Sequence, residues 1–159
     1  MSTEELITLT INGSNETASF PPHRTLLEAL RELGHIEVKC GCEKGDCGAC
    51  AVLLDGVAVD SCLILAWTAQ GRAITTISGL AGTHPLLRAF VDLGAAQCGY
   101  CTPGMVMAAK SMLDRNPDPT EEEIRIGLSG NLCRCTGYVK IIEAVTVAAA
   151  AMRSQGSAK

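Results

Sequence analysis

The chain has 159 residues, a formal charge of −4 at pH 7 and a pI near 5.3. Without a basic patch, nucleic acid is excluded as a partner class, and no apolar run reaches the length needed to span a bilayer. The acidic start Met1-Ser2-Thr3-Glu4-Glu5 lacks the basic residues and apolar stretch of a signal peptide, which reads as a cytoplasmic chain.

Leu6 to Ile11 alternates and is rich in Ile and Thr, the pattern of a half-buried strand. Asn12-Gly13 is a hairpin signal, and Glu16 to Phe20 reads as the return strand, broken by Pro21-Pro22. Thr25 caps a short helix running to about Leu33, Glu28 completes a capping box, and Gly34 ends the helix. A loop rich in Cys and Gly follows, from Cys40 to Cys50. Ala51–Leu54 and Val57–Ser61 flank the hairpin turn Asp55-Gly56, and a last strand covers about Ala73 to Thr76. From His84 the period becomes helical. Helices are predicted over Pro85–Asp92, Pro103–Asn116, a third capped by Thr120 with Glu121, Glu122 and Glu123 in its first turn, and Val139–Met152, followed by a frayed tail from Ser154 to Lys159. The fold class is α+β, with a mixed α/β front half and an all-α back half, split near residues 78 to 83.

Nine cysteines, an odd number in a chain without a secretion signal, argue against a disulfide framework and for metal binding. Cys42, Cys47 and Cys50 have the spacing C-x4-C-x2-C, and Cys62 follows with eleven residues between it and Cys50. That is the plant-type [2Fe–2S] spacing, in which one loop sets three soft thiolates around two irons and a fourth arrives from elsewhere. Zinc is the competing reading, although zinc motifs usually pair C-x2-C knuckles. Gly41, Gly45 and Gly48 suit a loop wrapped tightly enough to aim backbone N–H groups at sulfur. Cys40 falls outside the pattern and reads as a small, partly buried thiol, or else as an alternate ligand or oxidation-sensitive site.

Cys98-Gly99-Tyr100-Cys101 precedes the second back-half helix, and Cys133-Arg134-Cys135 precedes the fourth. The two pairs converge if those helices start side by side, which would place an anionic cluster at helix N-termini. The alternative is two unrelated thiol pairs. His23, His35 and His84 are scattered singly and read as ordinary histidines, Arg134 either tunes a cluster or is a solvated side chain, and no catalytic residue is predicted. There is no Rossmann-type phosphate loop for a flavin or nicotinamide.

The segments Gly41-Cys42-Glu43-Lys44-Gly45-Asp46-Cys47-Gly48-Ala49-Cys50, Gln97-Cys98-Gly99-Tyr100-Cys101-Thr102-Pro103-Gly104 and Gly130-Asn131-Leu132-Cys133-Arg134-Cys135-Thr136-Gly137-Tyr138 resemble the iron–sulfur subunit of the xanthine oxidase family of molybdenum hydroxylases. The resemblance covers roughly residues 4 to 152, with Cys40 and Ala51 as the departures, neither at a ligand position. It implies a β-grasp, plant-ferredoxin-like domain over residues 1–78 and a four-helix [2Fe–2S]-binding domain over 84–155. Cys42, Cys47, Cys50 and Cys62 would hold one [2Fe–2S] cluster, and Cys98, Cys101, Cys133 and Cys135 the other. It also implies a large molybdopterin-binding partner and a medium FAD-binding one, with Gln97 and Cys135 approaching the pterin; on residues alone Gln97 reads as a satisfied side chain at a helix start. The expected role is electron relay from the molybdenum site to a flavin or other acceptor. A free two-cluster ferredoxin and a zinc adaptor are the alternatives. The expected substrate of the complex is a purine or other N-heteroaromatic, partly because Val57 to Leu63 looks like purine-oxidising members, with aldehyde, carbon monoxide and aromatic acyl-CoA as alternatives.

Overall fold

Asn12 and Asp55 both adopt positive φ, at 51° and 52°, each followed by a glycine that does the same, so two tight hairpin turns form where the local sequence demands them. The first joins β1 (Glu5–Ile11) to β2 (Ser14–Phe20) and the second joins β3 (Ala51–Leu54) to β4 (Val57–Asp60). The structure is a computed structural model that describes residues 4–80 and 82–156. With β5 (Ala73–Thr75) the strands make one sheet in the order β2-β1-β5-β3-β4, in which β1 and β5 are parallel and every other pair is antiparallel.

The helix α1 (Leu26–Glu32) carries the expected capping box: Thr25 Oγ1 accepts the N–H of Glu28, and Glu28 accepts the N–H of Thr25. It buries Leu26, Leu27, Ala29 and Leu30 with Leu9, Ile11, Val52, Leu54 and Ile74 of the sheet, a helix gripped by a mixed sheet. Four helices follow, α2 (Pro85–Asp92), α3 (Thr102–Arg115), α4 (Glu121–Gly127) and α5 (Val139–Gly156). Their core is separate from the first. It is built from small or flexible side chains such as Ala109, Ala144, Ala148, Met105 and Val145, which let helices approach closely despite the shortage of aromatics.

One expectation needs correction, and one gap is filled. The tail is not frayed from Ser154: α5 continues through Gly156, with Ser154 Oγ donating to the carbonyl of Ala151, and only residues 157–159 of the tail lie outside the described residues. The segment between β4 and β5, unassigned from sequence, holds two 3-10 turns, Ser61–Leu63 and Ala66–Ala69, a third following at Ile77–Gly79. Of the boundary region, Ala81 lies outside the described residues.

A polar seam joins the two cores. The buried hydroxyl of Ser111 on α3 accepts the N–H of Ala58 at 3.0 Å and donates to the carbonyl of Gly56, while α3 packs across β3.

Candidate metal centres

The loop from Cys40 to Cys50 is anchored at its start by Val38, which is buried in the sheet core, and at its end by Cys50 and β3. Within it, the backbone N–H groups of Lys44 and Asp46 point at Cys42 Sγ from 3.4 and 3.2 Å. Those donors, Lys44 first, pull the Cys42 thiol down to about 7. Gly41 is needed by close approach, because a Cβ there would stand 2.7 Å from Cys47 Sγ. Cys62 arrives from the 3-10 turn after β4 and is buried against Cys50; burial, then hydrogen bonding to Cys50, pushes it up to about 12.

In the back half, Cys101 is the N-cap residue of α3. Cys133 and Cys135 lie in a loop separated from α5 by Thr136-Gly137-Tyr138, where the positive φ of Tyr138, 69°, delays the helix. One cysteine pair therefore abuts a helix N-terminus, whereas the other is held by the loop itself: Thr136 donates its N–H to Cys133 Sγ, and its hydroxyl shares a hydrogen bond with the same sulfur at 3.1 Å. Burial raises the Cys133 thiol, but the Thr136 bonds together with the N–H of Cys135 and the Cys101 thiol outweigh it and leave it below its ordinary value. Burial, then Cys133, pushes Cys101 up to about 12.

The sulfurs associate in pairs. Cys135 hydrogen-bonds to Cys98 with 3.5 Å between sulfurs, and Cys47 with Cys42, Cys62 with Cys50 and Cys101 with Cys133 are near enough to shift one another's acidity. Each tetrad thus divides into two pairs, as a two-iron centre with two thiolates on each iron requires. Metal–thiolate bonds of about 2.3 Å put two sulfurs of one tetrahedral metal roughly 3.7 Å apart, close to the Cys98–Cys135 separation. Among the described residues no three His, Cys, Asp or Glu side chains gather round a single ion. Thr102, next to Cys101, keeps a buried hydroxyl without a partner, a donor free for a group that the polypeptide does not supply. The residues present fit [2Fe–2S] centres.

A cleft of about 350 Å³ lies between the two loops, bordered by Cys42 and Cys47 on one side and by Cys98, Cys101, Cys133 and Cys135 on the other. Cys98 and Cys135 are exposed, as are Gln97 and Arg134, whereas Cys50 and Cys62 are buried. Cys40 stays outside the sulfur pairs and donates to Glu43 Oε1 at 2.9 Å, which raises its thiol. The histidines have other work or none here: His35 sits between Glu16 and Glu37, His84 caps α2, and His23 is exposed. Sequence reasoning quoted Asn131 and Tyr138 within a motif without giving them a role. Asn131 is buried and donates from Nδ2 to the carbonyl of Gly48, and Tyr138 Oη binds the loop around Cys133.

A family model described as a 2Fe-2S iron-sulfur cluster binding domain matches residues 9–74, and one described as a [2Fe-2S] binding domain matches residues 76–146. The nicotinate dehydrogenase small FeS subunit of Eubacterium barkeri is 50% identical over 146 residues, covering 89% of this chain and 93% of the relative. The chain belongs to the iron–sulfur subunits of the molybdenum hydroxylase family. Another member, the xanthine dehydrogenase iron-sulfur-binding subunit of Escherichia coli O157:H7, is 49% identical over 152 residues, with 91% and 96% of the two chains covered. Among solved structures, quinoline 2-oxidoreductase from Pseudomonas putida 86 superposes with a TM-score of 0.90 at 44% identity, covering 95% of this chain and 97% of that one. More distant members include aldehyde oxidoreductases. As an iron–sulfur subunit of this family, the protein is the electron-transfer component of an oxidoreductase complex.

Proposed function

We propose that the front tetrad Cys42, Cys47, Cys50 and Cys62 and the back tetrad Cys98, Cys101, Cys133 and Cys135 each hold one [2Fe–2S] cluster, in domains spanning residues 1–78 and 84–155. The observation that carries the ligand reading is the convergence of distant cysteines, with Cys98 and Cys135 at 3.5 Å and both sets of thiols gathered beside one cleft. The two separate apolar cores support the domain division. When bound, each cluster supplies a one-electron carrier. The chain's own part is to hold thiolates with backbone N–H donors, exclude water from Cys50 and Cys62, and leave the Cys98–Cys135 edge open.

That open edge, beside exposed Gln97, Tyr100 and Leu132, is the side where a large molybdopterin-binding subunit docks in this reading, with Gln97 and Cys135 toward the pterin. Electrons then enter at the back tetrad and leave from the front one toward a medium FAD-binding subunit. The substrate of the complex is an N-heteroaromatic. Nicotinate, xanthine and quinoline, which appear in the names of the relatives, share a ring carbon next to nitrogen. No helix among the described residues is long and apolar enough to cross a membrane, and the cytoplasmic reading of the N-terminal sequence belongs to the same proposal.

Metal analysis tests the ligand assignment. Two [2Fe–2S] clusters give about four irons and four acid-labile sulfides per chain; zinc at one or two per chain with little iron overturns it. Turnover of the purified complex with nicotinate, quinoline, hypoxanthine and an aromatic aldehyde tests the substrate class, and preference for the aldehyde overturns that part alone.

A further inference from the structure

The two ligand loops do not merely lie near each other; they are cross-linked through Asn131. Its side chain is buried, at 7% exposure, and donates from Nδ2 to the carbonyl of Gly48 at 2.9 Å, between front-loop residues Cys47 and Cys50. The next residue, Leu132, donates its N–H to the carbonyl of Cys47 at 2.9 Å, and Cys133 follows directly. Tyr138 braces the same segment from behind, since its hydroxyl accepts the N–H of Cys133 at 2.8 Å and donates to the carbonyl of Asn131 at 3.1 Å. Gly48 is shaped to receive the contact: it has a φ of +65°, and a Cβ there would fall 2.4 Å from Asn131 Nδ2. A buried amide with its donor satisfied by a backbone carbonyl is costly to break, because the freed groups have no water to turn to.

We propose that Asn131, braced by Tyr138, is the positioning residue that fixes the separation and relative orientation of the two clusters. This rests on the ligand reading above. Asn131 touches no sulfur in the hydrogen-bonding pattern; it acts through Gly48 and, by way of Leu132, through Cys47 and Cys133. A hydrogen bond is short-ranged and directional, so losing this one lets the back loop shift against the front loop while all eight thiolates keep their own clusters.

The test is low-temperature electron paramagnetic resonance of the fully reduced, iron-loaded chain. Two paramagnets held at a fixed short distance split each other's lines, and the splitting falls steeply as they separate. Iron and sulfide content is measured first; a wild-type chain without about four irons defeats the ligand reading itself, separately from this proposal. With iron full, Asn131→Ala is expected to retain both cluster signals and to lose or shrink the splitting. Ser111→Ala, which removes a seam contact made to no residue of either ligand loop, is expected to keep it. Should Asn131→Ala fail to load iron, Tyr138→Phe decides by the same measurement. Wild-type splitting in an iron-loaded Asn131→Ala or Tyr138→Phe chain, or equal loss of splitting in Ser111→Ala, overturns the proposal.

Discussion

At the residue scale, what the sequence carried was spacing and local backbone chemistry. The C-x4-C-x2-C run, the pairs around Gly99 and Arg134, and the Asn12-Gly13 and Asp55-Gly56 turns are all decided within a few residues, so they could be read directly. The partition of the thiols was not legible, because Cys98 meets Cys135 across 37 positions and only the fold closes that gap. Gly104 shows the same limit. In a helix, Gly to Ala is ordinarily stabilising by about 0.5–1 kcal/mol. Here an added Cβ would lie 2.1 Å from the carbonyl oxygen of Gly48, a backbone atom that cannot swing aside. Overpacking of this kind costs about 1–3 kcal/mol, so Gly104→Ala is expected to be destabilising by about 1–2 kcal/mol net. Thermal melts of the variant and wild type check this; an equal or higher midpoint would show that the close approach is relaxed at no cost.

At the element scale, capping decided most boundaries. Thr25 with Glu28 and Thr120 with Glu123 form reciprocal boxes that start α1 and α4 where the residues predict. The 3-10 turn that delivers Cys62 and the central place of β5 were not legible, since β5 is three residues long and pairs with β1 across more than sixty positions. His84, read as an ordinary histidine, is the N-cap of α2, its Nδ1 accepting the N–H of Leu86 at 3.2 Å. That bond needs the ring unprotonated at Nδ1. Burial first, then the Lys110 charge, holds the ring below its ordinary value, with Asp114 opposing. The unfolded chain therefore takes up this proton near pH 6.5 while the folded chain does not. Stability falls as the pH drops below that point, and the dependence ends once the folded value is crossed. His84→Asn keeps a capping side chain that does not titrate. Between about pH 7.5 and 5.5 its melting temperature should decline less steeply than that of the wild type; parallel curves would remove His84 from the account.

At the scale of the whole molecule, the formal charge of −4 becomes about −8 once two oxidised clusters, each about −2 with its four thiolates, are bound. An acidic docking subunit is steered by basic surface on its partner, and such steering is screened by salt. Association of the isolated iron–sulfur chain with its large subunit, followed by stopped flow, should slow as ionic strength rises; a salt-independent rate would assign recognition to apolar contact alone. The two cores were legible as a change of period near His84, whereas the seam between them was not, because it is made by single polar side chains from distant segments. Its chemistry has a consequence for how the protein breathes. The N–H groups of Leu132 and Ala58 are tied across the seam, to Cys47 and to Ser111, and belong to neither core. Their exchange with deuterated solvent requires the halves to part, but neither half to unfold. These two amides should therefore exchange together, faster than those of Leu9 or Ala144 deep in either core, and slow together when a partner clamps the halves. Mass spectrometry of the two peptides would time that opening directly, giving the seam a lifetime of its own.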